Sequence, residues 1–295
     1  MPSFSDLLGL CKIKVVALIL LTAVVGMLLA VPAPYFPDWT LVLAASAGIG
    51  LSSASAAVFN HVVDEKIDTQ MSRTDQRPLP QGKVSRTQAL IWGVFLGVTG
   101  LAILQLFVNT LTMLLTFISL IGYAVIYTLY LKRATPQNIV IGGAAGAAPP
   151  ILGWTSITGQ QGIELAFLLF LIVFIWTPPH FWALAIFRHK EYKKVGVPML
   201  PVTHGLAYTR MQILLYSVLL LLVTILPYLA GMSGVIYLAS AVILGVIFLV
   251  YAIKIYRRPD DPKVAWDTFM YSVKYLMLIF IALLIDHYWL IRVSI

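Results

Sequence analysis

Long apolar runs alternate with short polar stretches along the whole chain, and the runs have the length of membrane-crossing helices. About twenty apolar residues at 1.5 Å rise span the hydrocarbon of a bilayer. Windows of that length predict nine spans, near 13–31, 40–61, 88–107, 110–131, 139–156, 164–186, 208–229, 233–255 and 269–291. The third and fourth meet at Val108 and Asn109, which requires a tight turn. No separate second domain is expected, so residues 1–295 read as one all-α polytopic membrane domain. Composition agrees: 60% of the 295 residues are hydrophobic and mean hydropathy is +0.91, which excludes a soluble globular protein.

The polar stretches carry the charge unevenly. The N-terminus and the loops after spans two, four, six and eight hold 18 of the 20 Lys and Arg residues. Basic residues collect on the cytoplasmic side, so the N-terminus and these loops are expected in the cytoplasm and the C-terminus outside. The first span follows Lys12 and Lys14 without a cleavage-type site and reads as a retained helix. The net charge of +8 is thus a topology signal first. It is spread over membrane-edge loops, so nucleic-acid binding is not expected; anionic lipid or substrate fits better. One cysteine, Cys11, allows no internal disulfide.

One polar stretch is different in kind. "FNHVVDEKIDTQMSRTDQRPLPQG", residues 59–82, holds four acids and three bases directly after an apolar run. Asn60, Asp64 and Asp68 recur every four residues, which stacks them on one face if the second helix continues past the membrane edge. Such a ladder of side-chain oxygens suits Mg²⁺, a hard ion that keeps several waters and adds phosphate oxygens. Arg73 and Arg77 follow, and a guanidinium beside a carboxylate cluster suits a diphosphate. Pro78, Pro80 and Gly82 shape their loop. The bland alternative is a solvated helix end with anchoring arginines.

Two more patches fall on the same expected side. Tyr123 and Tyr127 lie one turn apart before Lys132 and Arg133; tyrosines at a span's end more often form an interfacial aromatic belt than a site. After span six come Arg188, Glu191, Lys193 and Lys194. Gly142, Gly143 and Gly146 would let the fifth span pack closely, and Pro149–Pro150 and Pro178–Pro179 would bend or break their helices.

The N-x3-D-x3-D ladder, the R-P-L-P-x-G loop and "KRATPQN" after span four resemble the intramembrane aromatic prenyltransferases typified by 4-hydroxybenzoate polyprenyltransferase. "IWTPPHFWALAIFRHKEYKKVGVPMLPV" (175–202) and "LKRATPQNIVIGGAAGAAPPILGW" (131–154) are similar to the haem-farnesylating branch. The resemblance implies nine helices around a cytoplasm-facing cavity in a bacterial inner membrane, with farnesyl diphosphate and haem B as substrates. It implies Mg²⁺ on Asn60, Asp64 and Asp68, and diphosphate neutralised by Arg73, Arg77, Lys132 and Arg133. Arg188, Lys193 and Lys194 would bind diphosphate or haem propionates.

Superfamily members often carry a second acidic cluster after span six; this chain has Glu191 alone among bases, so a second complete metal site is not expected. His180, within span six, is a candidate haem ligand with Tyr123 and Tyr127 nearby in role; a histidine bonded to a proline-freed carbonyl is the other reading. The product would pass to a haem A synthase or a terminal oxidase. Two rivals stay open. A quinone-precursor prenyltransferase would share the ladder. A transporter would place its ionisable groups near the midplane rather than at one edge.

Overall fold

The computed structural model describes residues 2–72, 74–259 and 261–289, so Arg73, Arg292 and the end of the last expected span lie outside it. Every regular element among the described residues is helical. In order these are α1 (Phe4–Leu10), α2 (Ile13–Leu29), α3 (Trp39–Asp68), α4 (Arg86–Phe107) and α5 (Thr110–Ile121). A π-helical segment (Gly122–Leu131) and α6 (Lys132–Ala134) carry α5 onward. Then come α7 (Asn138–Ala147), α8 (Pro149–Thr158), α9 (Ile163–Phe187), α10 (His189–Lys194) and α11 (Leu200–Thr203). The chain closes with α12 (Gly205–Leu229), α13 (Val235–Arg257) and α14 (Pro262–Tyr288).

The count of nine spans is not met helix for helix. Seven of the described helices are long and apolar enough to cross a bilayer, or eight counting the α1–α2 pair, which bends by 58°. The expected fifth span is divided between α7 and α8, each of 10 residues. Its cause is in the sequence: a proline lacks the N–H that continues a helix, and Pro149 opens α8. Pro178 and Pro179, by contrast, sit inside an unbroken α9. The second expected span is longer than its apolar run, because α3 continues to Asp68.

Local chemistry sets the helix starts. Ser85 and Gln88 form a reciprocal capping box at α4, and Asn109 caps α5 within the tight turn after α4. At the opposite end of the bundle from the ladder, Asp286 of α14 is fully buried and accepts the backbone N–H groups of Gly234 and Tyr237, capping α13 from a neighbouring helix.

The largest buried cluster joins α8, α9, α12, α13 and α14 through Trp154, Leu169, Trp176, Tyr237 and Phe280. The outward faces are apolar as well: Ile91, Phe95, Val98, Leu222 and Ile243 are all exposed. Exposed apolar surface on this scale needs lipid to cover it. Of the three glycines expected to aid packing, Gly142 and Gly143 do so. A Cβ on Gly142 would lie 2.2 Å from the Tyr127 ring and one on Gly143 3.0 Å from Thr177, whereas Gly146 faces open space.

Candidate active site

The extension of α3 puts Asn60, Asp64 and Asp68 on one buried face at the end of the bundle, each less than 5% exposed. Burying carboxylates is costly unless charge meets them. Here each rung meets a base from a different part of the chain. Lys12 donates to Asn60 Oδ1. Lys132 Nζ lies 2.5 Å from Asp64 Oδ2, and Arg77 Nη1 2.6 Å from Asp68 Oδ2.

Each base is aimed by its backbone. Lys12 sits in the break between α1 and α2 with φ of 49°, the one positive φ at a non-glycine among the described residues. Left-handed backbone is unfavourable for a side chain with a Cβ, and such residues cluster at functional sites. Lys132 follows the π-helical segment directly. Such segments are frequent at functional sites. Arg77 belongs to a folded loop: Thr74 Oγ1 donates to the Asp68 carbonyl at 3.1 Å, while Leu79 and Met71 are buried beneath it.

The remaining contacts orient the ladder. Asn60 Nδ2 donates to Asp64 Oδ2 at 2.9 Å and to Thr128 Oγ1 at 3.3 Å, and Thr128 Oγ1 donates to the Tyr123 carbonyl at 2.7 Å. Tyr123 and Tyr127 stack with ring centroids 5.3 Å apart, and the open side of Gly142 admits Tyr127. Asp64 Oδ1 is buried without a hydrogen-bond partner. An orphaned carboxylate oxygen inside a ring of polar groups suits a divalent cation. No group of three or more His, Cys, Asp or Glu residues is poised for a metal among the described residues. Two carboxylates and an amide would be the donors offered by the ladder, a set that fits an ion that keeps waters and phosphate oxygens.

Other expected residues fall elsewhere. Arg133 is exposed and reaches the Val63 carbonyl at 3.3 Å. Lys193 and Lys194 are exposed on α10. Glu191 Oε1 accepts from Arg188 Nη1 at 2.6 Å, and both side chains line a cavity that includes no residue of α3. The structure does not bring Glu191 into the ladder.

His180 is buried in the seam between α9 and α14, between the rings of Trp176 at 4.2 Å and Phe269 at 4.7 Å. Its partner is a hydroxyl and not a freed carbonyl: Nδ1 lies 2.6 Å from Ser272 Oγ. Ser272 has one hydroxyl proton, and Oγ donates to the Phe269 carbonyl at 2.6 Å. Oγ therefore accepts from His180, which puts the ring proton on Nδ1 and leaves the lone pair on Nε2.

Lys12 and Thr128 were missed in the sequence as site residues. Lys12 had a complete explanation as a topology signal, and nothing local marks residue 12 for left-handed backbone.

Residues 19–284 match the UbiA prenyltransferase family. The chain belongs to that family. It is 77% identical to the protoheme IX farnesyltransferase of Ruthia magnifica subsp. Calyptogena magnifica, over 98% of this chain and 97% of that relative. The protein of that name from Methylococcus capsulatus is 56% identical over 97% and 95%. Among solved structures, a digeranylgeranylglyceryl phosphate synthase superposes with a TM-score of 0.79 at 20% identity, covering 97% of this chain and 99% of that one. A UbiA homologue from Archaeoglobus fulgidus bound to GPP and Mg²⁺ gives 0.67 at 16% identity, covering 94% and 99%. The chain is a multi-span membrane prenyltransferase.

Proposed function

We propose that the protein transfers the farnesyl group of farnesyl diphosphate to a vinyl group of haem B, with addition of water, giving haem O and diphosphate. The acceptor is inferred from the near full-length relatives named protoheme IX farnesyltransferase. The observation that carries the chemistry is the buried ladder with a base on every rung and a free oxygen on Asp64.

The farnesyl C1–O bond breaks with its electron pair going to diphosphate. The vinyl carbon forms a bond to C1, and water captures the resulting cation beside the porphyrin, losing a proton. Charge develops on the leaving oxygens, so groups fixed in advance around them lower the barrier. Lys12, Arg77 and Lys132, whose charges gather on the ladder, neutralise the diphosphate; the same role is proposed for Arg73, which lies outside the described residues. Asn60, Asp64 and Asp68 would hold Mg²⁺, which when bound would supply Lewis-acid neutralisation of the diphosphate. Tyr123 and Tyr127 form an apolar wall that keeps water from the allylic cation. His180 offers Nε2 to haem iron, oriented by Ser272. In the cell inner membrane, with the N-terminus cytoplasmic, the ladder opens to the cytoplasm.

Incubating the purified protein with haem B, farnesyl diphosphate and Mg²⁺, then mass-analysing the porphyrin, tests the reading. Addition of one farnesyl and one hydroxyl is expected; unmodified haem, with prenylation of a quinone precursor supplied in a parallel incubation, would replace it. His180→Ala is expected to lose the Soret shift on haem addition while retaining farnesyl diphosphate binding. An unchanged Soret band would remove His180 from the haem site.

A further inference from the structure

A cavity of about 500 Å³ opens at the ends of α9, α12, α13 and α14, lined among the described residues by four Lys or Arg side chains and two acids. None of its lining residues comes from α3 or from the π-helical segment, so it is separate from the ladder. Its two acids are already engaged: Glu191 pairs with Arg188, and Asp261 caps α14 by accepting from Lys263 N–H at 3.0 Å. Arg210 and Arg258 also line it, from two different elements, and neither pairs with an acid among the described residues. Arg210 Nε is held by the Leu206 carbonyl of its own helix at 3.2 Å. Arg188 Nε is buried without a partner. Two unpaired guanidiniums facing one half-enclosed space fit two carboxylates, each of which a guanidinium fork can hold.

A file of aromatic rings leads from this cavity to His180. Phe187 lines the cavity and lies 5.1 Å from Trp266; Trp266 lies 5.4 Å from Phe269, and Phe269 4.7 Å from His180. Along α9, His180 and Phe187 are separated by about 10 Å of helix at 1.5 Å per residue. That is of the order of the distance from a porphyrin's centre to its carboxylates. We propose that Arg210 and Arg258, with Arg188 beside them, hold the two propionates of haem B, so that the acceptor subsite lies on the α9–α14 side and the diphosphate subsite on α3. This rests on haem being the acceptor. Of the two roles expected for Arg188, diphosphate or propionate, it takes the second, joined by Arg210 and Arg258, which the sequence did not single out.

Soret titrations of the full-length protein in neutral-lipid nanodiscs, with haem B and with its propionate dimethyl ester, test the assignment. Wild type is expected to bind haem at least about tenfold tighter than the ester, as loss of a charge-assisted contact implies. Arg210→Gln/Arg258→Gln is expected to lose that preference and raise the haem KM while leaving the farnesyl diphosphate KM unchanged. Arg258 is exposed in the turn before α14. Arg258→Glu alone therefore carries the test if the double variant does not fold. Equal wild-type affinity for haem and ester, or an unaltered preference in the variants, would overturn the proposal. So would variants that keep the preference but lose a dependence on added phosphatidylglycerol, since a lipid headgroup would then be the occupant. If wild type leaves haem unfarnesylated, the functional reading itself fails; farnesylation with an unaltered preference sinks only the pocket.

Discussion

Asp64→Asn is expected to lower kcat by about 10²–10³-fold, the scale seen when one preorganised electrostatic group is removed from a developing charge. The substitution preserves shape, so the loss isolates charge. Asp64 is the middle rung, and its Oδ2 already accepts from both Asn60 and Lys132. Its Oδ1 is the one ladder oxygen that is buried without a partner. An amide there weakens the donor set for a divalent ion and leaves the Lys132 ammonium without its counter-charge. Both changes act on the diphosphate, so the KM for farnesyl diphosphate should rise and the Mg²⁺ requirement should shift upward. Glu191→Gln is the matched control. Glu191 pairs with Arg188 at a cavity away from the ladder, so kcat should fall far less than in Asp64→Asn. Equal losses in the two variants would refute the assignment of the ladder as the metal and diphosphate site.

How much of this was legible in the sequence depends on the range of the interaction involved. The ladder was legible because a four-residue repeat maps onto a helix face wherever that helix sits. Its helical extension to Asp68 needed no tertiary information. The break in the fifth span was carried by Pro149, again a local cause. Lys12 was not legible, since its role depends on a left-handed residue in a bend and on contact with Asn60, 48 positions away. The sequence could not place the span-six patch, for a related reason. Sharing one side of the membrane with the ladder says nothing about which cavity a side chain enters, and packing of α9 against α12 and α14 sends Arg188 and Glu191 to their own. Asp286 left a signal that went unread: an acid inside an apolar run is expensive unless it has partners. Its partners are two backbone N–H groups of α13.

Gly153→Val should destabilise the fold by about 3 kcal/mol or more, at the upper end of the range for overpacking, because the clash is with backbone. A Cβ at Gly153 would lie 1.9 Å from the Ala23 carbonyl oxygen, and one at Gly26 would lie 2.3 Å from the Pro150 carbonyl oxygen. The two helices α2 and α8 therefore approach through glycine on both sides, as closely packed membrane helices do. No rotamer change can relieve a collision with a main-chain carbonyl, so α8 must move away from α2. That movement reaches the site, because α8 follows α7 directly and α7 places Gly142 against Tyr127. Thermal unfolding of purified Gly153→Val in detergent should show a lowered midpoint, and prenyl transfer should fall with it. Gly146→Ala is the comparison: a Cβ there meets nothing within 4 Å, so its midpoint should match wild type. A Gly153→Val protein as heat-stable as wild type would mean that α2 and α8 do not pack backbone to backbone.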